Sequence, residues 1–315
     1  MKITKRILRV GNAPCSWGSL EFEEAKAAEP IGYKQMLDEL AETGYTGTEL
    51  GDWGYMPTDP AKLKDELNKR KLVMLGAFVP VALKDAEAHA AGIANAVKTA
   101  KLLAAVASED PKPYLVLADN NGTVEQRTKY AGRIEDGMGL SLGEWGVFTR
   151  GANLLAKTVL EETGLKTVFH HHCAGYVETP EEIERFLDMT DAKLVGLVFD
   201  TGHYTYGAGE EADAAQAIKA FKERIWYIHF KDCHEAVSAR ARRKEWGYFE
   251  ALKHGVFCEL GKGCVDFPAV FKRLRKIDYN GYTLVEQDIL PGLGSPKGSA
   301  RRNRRYLKSI EKNYI

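Results

Sequence analysis

Short aliphatic or β-branched runs alternate with longer segments of helical period, and the alternation repeats about eight times along the chain. Parallel strands cannot be joined by a tight turn and need a crossover long enough to hold a helix, so this alternation predicts parallel βα units. The predicted strands are 7–13, 46–50, 72–79, 114–118, 166–171, 194–199, 225–230 and 282–286. The predicted helices are 31–43, 59–70, 85–107, 143–163, 180–188, 212–223, 267–276 and 298–312. Thr179 followed by Pro180, Glu181 and Glu182 is a helix start, with a capping hydroxyl and a proline at the first helical position.

Eight such pairs in 315 residues, above the roughly 250 typical of the fold, predict a closed (β/α)8 TIM barrel. No Pro- or Ser-rich linker divides the chain, so residues 1–315 read as a single domain. A dinucleotide-binding fold would need GxGxxG after its first strand, and "VGNAPCSWG" lacks it. Residues 233–264 are long for a βα loop, and "SARARRKEWGYFEAL" (238–252) reads as one inserted helix able to close over a site.

The 44 Lys+Arg balance the 44 Asp+Glu, so no whole-molecule field attracts nucleic acid or an acidic membrane. The basic stretches "ARARRK" (239–244) and "ARRNRR" (300–305) read as solvated helix faces. No signal-type apolar segment and no run of about 18 apolar residues occurs, which predicts a cytoplasmic protein with no membrane partner. Five cysteines without a CxxC pair predict buried free thiols, and a homo-oligomer is compatible with this composition.

In a barrel of this kind the chemistry sits at the C-terminal strand ends, where the βα loops converge. Those ends carry Glu49, Asp119-Asn120, His170-His171-His172, Asp200 with His203, His229 with Lys231, and Glu286-Gln287-Asp288. Residues two apart share a strand face, so His170 and His172 turn inward while His171 packs behind, and His229 and Lys231 point together. Asp200, His229 and Glu286 come from three consecutive strands and converge. Their mixed oxygen and nitrogen donors suit a divalent ion such as Mn²⁺, Co²⁺, Mg²⁺ or Zn²⁺.

"VFDTGH" (198–203), "IHFKD" (228–232) and "VEQD" (285–288) resemble the strand-six, strand-seven and strand-eight motifs of the xylose-isomerase-like barrels. That superfamily includes sugar isomerases and epimerases, inosose dehydratases and abasic-site endonucleases. "NAPCSWG" (12–18), "FHHHCAGYVETPEEI" (169–183), "GLVFDTGHYTYGAG" (196–209) and "ELGKGCVDF" (259–267) are most similar to the inosose dehydratase branch. The resemblance implies a lyase of inositol or carbohydrate metabolism that dehydrates 2-keto-myo-inositol or a related keto-cyclitol or keto-sugar. A metal-dependent ketose isomerase or 3-epimerase is the alternative. An endonuclease is disfavoured, because "GAFVP" and "VLADNN" lack the histidines such enzymes carry there.

The resemblance implies Asp200, His229 and Glu286 as metal ligands, with Mn²⁺ or Co²⁺ ahead of Mg²⁺ or Zn²⁺. Many relatives place a glutamate at the end of strand five, where this chain has His170; the fourth ligand is His170, or Glu178 from the loop, or water. His203 and His172 are expected to transfer protons or bind hydroxyls. Lys231 is expected to act as an acid or as a charge on the enolate, and Glu49 as a base or hydroxyl-binding group. Trp17 and Trp53 can stack on a ring, and Arg240 can contact substrate.

Overall fold

The computed structural model describes residues 9–18, 31–288 and 294–314. Eight parallel strands close on themselves: β1 (Val10–Asn12), β2 (Gly47–Glu49), β3 (Val73–Val81), β4 (Tyr114–Asp119), β5 (Thr167–His170), β6 (Val195–Asp200), β7 (Ile225–Phe230) and β8 (Thr283–Val285). Around the barrel the order is β1, β8, β7, β6, β5, β4, β3, β2. Each expected strand is present; residues 7 and 8 of the first expected strand lie outside the described residues. The strands are nearly continuous buried runs, as expected where helices cover one face and the barrel interior the other.

Leu75, Val116, Val168, Val198, Tyr227 and Leu284 form a layer of core contributed by six strands. A second, larger cluster lies between the strands and the outer helices and includes Leu117, Phe169, Leu197, Phe199, Ile228 and Phe230. The two sets alternate along each strand, which is the pleat sorting side chains inward and outward.

All eight expected helices form, at Tyr33–Glu42, Pro60–Lys69, Ala88–Val106, Leu142–Thr163, Pro180–Met189, Ala214–Ala220, Phe267–Lys276 and Pro296–Tyr314. The Thr179 hydroxyl accepts from the Glu182 amide, and the Glu182 carboxylate accepts from the Thr179 amide, so Pro180–Met189 opens with a full capping box. The inserted segment departs from expectation. It forms two short helices, Glu235–Arg243 and Tyr248–Lys253, instead of one. Glu245 at φ 54 ends the first, and Gly247 caps the second. The two-residue strands Asp232–Cys233 and Phe257–Cys258 pair antiparallel and pin the base of the insert to the barrel.

Two surface readings also change. Arg304 is buried and its Nε donates to Gly44 O at 3.0 Å, so "ARRNRR" is only partly a solvated face. Cys173 and Cys233 are buried, but Cys264 is exposed, so the thiols, all free, are not all core. Among the described residues no helix is long and apolar enough to cross a membrane.

The turn after β6 is tightly packed. Asp200 caps the helix Thr201–Ala208 through Oδ1, which accepts from the amides of Gly202 (2.8 Å) and His203 (2.7 Å). A Cβ on Gly202 would sit 2.6 Å from Lys231 Cγ and 2.8 Å from Lys231 Cβ. Gly202→Ala therefore pushes the end of β6 away from the end of β7. The expected cost is about 1–3 kcal/mol, as for other overpacked cores, read as a lower urea midpoint with an unchanged m value. An unchanged midpoint would contradict this packing.

Candidate metal centre

Two residues beyond the core layer, the same strand faces carry a polar layer. Val168 is followed by His170, Val198 by Asp200, Tyr227 by His229 and Leu284 by Glu286. The alternation that buries the valines thus turns an imidazole or carboxylate from each strand end into the barrel mouth.

His170 Nε2 lies 3.2 Å from His229 Nδ1 and 3.9 Å from Asp200 Oδ2. His229 Nδ1 lies 3.2 Å from Glu286 Oε1 and 4.0 Å from Asp200 Oδ2. One donor atom from each of the four residues falls within 4.8 Å of all the others. Among the described residues no other group of three or more His, Cys, Asp or Glu gathers this way. Donors bonded to a common ion at 2.0–2.2 Å sit roughly 3–3.6 Å apart, close to this spacing. Asp200 Oδ2 is buried and has no hydrogen-bond partner, while Oδ1 is engaged by the helix cap. A buried carboxylate oxygen without a partner is costly, and a cation among these donors removes that cost. The donor set therefore fits a divalent ion.

The electrostatics agree. Burial works against a charge on His229, but the carboxylates of Glu286 and Glu49 outweigh it and raise its pKa to about 10. Burial raises Asp200 to about 6. Burial also opposes a charge on Glu286, yet His229 and Lys231 hold its pKa well below the usual carboxylate value. A divalent ion entering near pH 7 must displace the His229 proton. Binding should then release about one proton per ion and tighten as pH rises toward about 10. Calorimetry in two buffers of different ionisation heat reads this directly; equal heats in both would contradict it.

Lys231 is 2% exposed, with Nζ 3.2 Å from Glu286 Oε2, 3.1 Å from Asp288 Oδ2 and 3.1 Å from His203 Nε2. Burial opposes its charge, but Asp288 and Glu286 overcome this and raise its pKa well above the ordinary lysine value. His172 and His203 lie side by side with ring centroids 3.8 Å apart and planes tilted by 38°. Tyr248 and Phe257, from the inserted segment, pack their rings 5.6 Å from His172 and 4.8 Å from His203 respectively. The insert thus roofs the histidine pair.

His171 turns the other way, and its Nε2 accepts from the Asp200 amide at 3.1 Å, steadying the strand end that carries a donor. Glu178 is not the fourth member of the cluster. Its two oxygens accept from the amides of Gly132 (2.6 Å) and Ala174 (2.8 Å), and His170 stands with the other three donors. Glu49 Oε1 lies 3.2 Å from His229 Nε2, on the side of the ring away from the cluster.

The three residues expected to contact substrate each have a partner within the protein. Trp17 is 1% exposed, and its indole N–H donates to Glu39 Oε2 at 2.8 Å, so it is core. Trp53 is 41% exposed, with Lys98 Nζ 3.8 Å over its ring. Arg240 is exposed on the first inserted helix and lies 5.1 Å over Trp246. Their place near strand ends or in the insert suggested these three; the structure adds Asp288, Tyr248 and Phe257. Asp288 carried a signal, two residues after Glu286 on the same face; the two aromatics carried none.

The model of the xylose isomerase-like TIM barrel family matches residues 37–310. An inosose dehydratase of Geobacillus kaustophilus (strain HTA426) is 30% identical over 310 residues, spanning 98% of this chain and 97% of that one. An inosose dehydratase of Salmonella typhimurium (strain LT2) is 30% identical over 315 residues, spanning 99% of each. Among solved structures, the IOLI protein with a bound zinc atom superposes with a TM-score of 0.67 at 14% identity, covering 98% of this chain and 99% of that one. A probable 3-DHS dehydratase, AsbF, of Bacillus anthracis gives 0.69 at 13% identity, covering 96% and 99%. At such identities these structures speak for the fold alone.

Proposed function

This chain belongs to the xylose isomerase-like TIM barrel family, and from that membership we propose that it is a metal-dependent hydro-lyase acting on a keto-cyclitol or keto-sugar of the 2-keto-myo-inositol type. The reaction removes the proton α to the ketone and expels the β-hydroxyl, with net loss of water. The observation that carries this reading is the buried four-donor cluster at the barrel mouth. The full-length similarity to proteins named inosose dehydratase supports the substrate class.

His170, Asp200, His229 and Glu286 would hold the ion, with Mn²⁺ or Co²⁺ preferred and Mg²⁺ or Zn²⁺ as alternatives. When bound, such an ion supplies Lewis acidity toward the ketone, which makes the neighbouring C–H bond more acidic. The chain's own residues then manage the protons. His172 Nδ1 lies 2.5 Å from Cys173 O, and a carbonyl only accepts, so Nδ1 carries the proton and the lone pair stays on Nε2. Burial first, then the nearby charge of Lys231, lowers the His172 pKa to about 3, so the ring is neutral. We assign it to binding a substrate hydroxyl or to proton transfer at Nε2. The Lys231–His203 pair, 3.1 Å apart, supplies the proton that leaves with the β-hydroxyl as water. The roof formed by Tyr248 and Phe257 keeps bulk water from these groups.

The test is to incubate purified protein with 2-keto-myo-inositol and Mn²⁺ or Co²⁺ and follow ultraviolet absorbance. An absorbing enolised 1,2-dione that fails to form after EDTA treatment supports the dehydratase. Interconversion of ketoses without loss of water would favour the 3-epimerase or isomerase reading instead, and cleavage of an abasic duplex would favour the endonuclease. Free thiols fit a reducing compartment, which supports a cytoplasmic location.

A further inference from the structure

The geometry points to Glu49 as the positioning residue that fixes the ring of His229, and not as the base of the reaction. This role rests on the metal-site reading above and goes beyond it. Glu49 and His229 come from β2 and β7, separated around the barrel by β1 and β8, yet both are buried and in contact. Gly47 and Glu49 are two apart and face the interior, and the bare α-carbon of Gly47 leaves its space to Leu75 in the layer below. The pairing of β2 with β3 shifts register between Thr48 and Glu49, an irregularity of the kind that re-aims a side chain at a sheet end.

A neutral imidazole has one N–H and one lone pair. Glu49 Oε1, 3.2 Å from His229 Nε2, is a carboxylate oxygen that accepts and does not donate. It therefore takes the Nε2 proton, and the lone pair is left on Nδ1, the atom that faces His170, Glu286 and Asp200. Tyr227 meets the His229 ring edge-on at a centroid distance of 4.9 Å and closes the space beneath it. Without Glu49 the ring has no partner that selects this tautomer, and the competing one places a proton among the donor atoms that would hold the cation. A carboxylate in this place also raises the basicity of the ligating nitrogen. His170 is the contrast, since its Nδ1 is buried with no partner among the described residues.

The experiment measures Mn²⁺ affinity of the full-length, EDTA-stripped protein by the electron spin resonance signal of free Mn²⁺, without substrate. Glu49→Ala is expected to weaken binding by about 10- to 100-fold, the usual loss for such outer partners. Glu49→Gln, whose amide oxygen still accepts the Nε2 proton, is expected to weaken it by less, about 3- to 10-fold, and remains informative if the alanine variant does not fold. With saturating Mn²⁺, Glu49→Ala should recover turnover, because the defect lies in holding the ion. Wild-type affinity in both variants would overturn the role. So would activity lost at saturating Mn²⁺ with affinity intact, which would make Glu49 the base. Absence of Mn²⁺ binding by the wild-type protein would overturn the metal reading itself, and this role with it.

Discussion

Replacing Asp200 with Asn is expected to weaken divalent-metal binding by more than about 10²-fold, beyond what loss of an outer partner costs, while leaving the fold standing. The two oxygens of Asp200 do separate jobs. Oδ1 caps the following helix through the amides of Gly202 and His203, and Oδ2 is the buried oxygen without a hydrogen-bond partner that faces His170 and His229. Asparagine keeps an acceptor for the cap, so stability should hold within about 1 kcal/mol, whereas Asp200→Ala forfeits a cap worth about 1 kcal/mol as well. The substitution also removes the negative charge and turns an N–H toward the other donors, where a cation is needed. Calorimetric titration with Mn²⁺, paired with thermal melting, separates the two effects. An Asp200→Asn protein that binds Mn²⁺ like the parent would remove Asp200 from the ligand set.

Replacing Lys231 with Met should cost about 3–5 kcal/mol of stability, because removing one partner of a buried ion pair strands the others. Here Asp288 is stranded, while Glu286 keeps His229 Nδ1 at 3.2 Å. Glu286 and Asp288 each lie within 3.2 Å of Nζ, and burial already raises the Asp288 pKa in spite of the lysine. The sign of the pH dependence follows. In the variant Asp288 binds its proton more tightly in the folded than in the unfolded state, so the deficit against the parent should shrink as pH falls below neutrality and protonation removes the unpaired charge. Urea unfolding at several pH values checks this. A deficit below about 1 kcal/mol would mean that Lys231 is effectively solvated and that its closeness to the two carboxylates has little weight.

The barrel was legible in the sequence because its physics is periodic. The rule that alternates Val168 with His170 and Val198 with Asp200 governs both core and site, so locating the strands also placed the four clustered residues at strand ends. The helix Thr201–Ala208 was not legible, since "TGHYTYGA" has no polar face to set a period: its first six residues are all buried and its start depends on the Asp200 cap. The break in the insert at Lys244–Gly247 was underrated because a run of good helix formers masked a single glycine.

What the sequence left open depends on contacts between distant segments. For the fourth position the sequence offered His170, Glu178 or water; the amides of Gly132 and Ala174 occupy both oxygens of Glu178, and His170 lies beside the other three. Glu49 could not be paired with His229 from the sequence, as the two are 180 positions apart. Trp17 and Trp53 were chosen for their place near strand ends and Arg240 for its place in the insert, and neither says which way a side chain faces.

The most direct measurement is diffraction from crystals of the EDTA-stripped protein soaked in Mn²⁺, recorded at a wavelength where manganese scatters anomalously. One strong anomalous peak is expected at about 2.0–2.2 Å from His170 Nε2, Asp200 Oδ2, His229 Nδ1 and a Glu286 oxygen. A map with no peak among these four side chains, or with its manganese elsewhere on the protein, would contradict this ligand set.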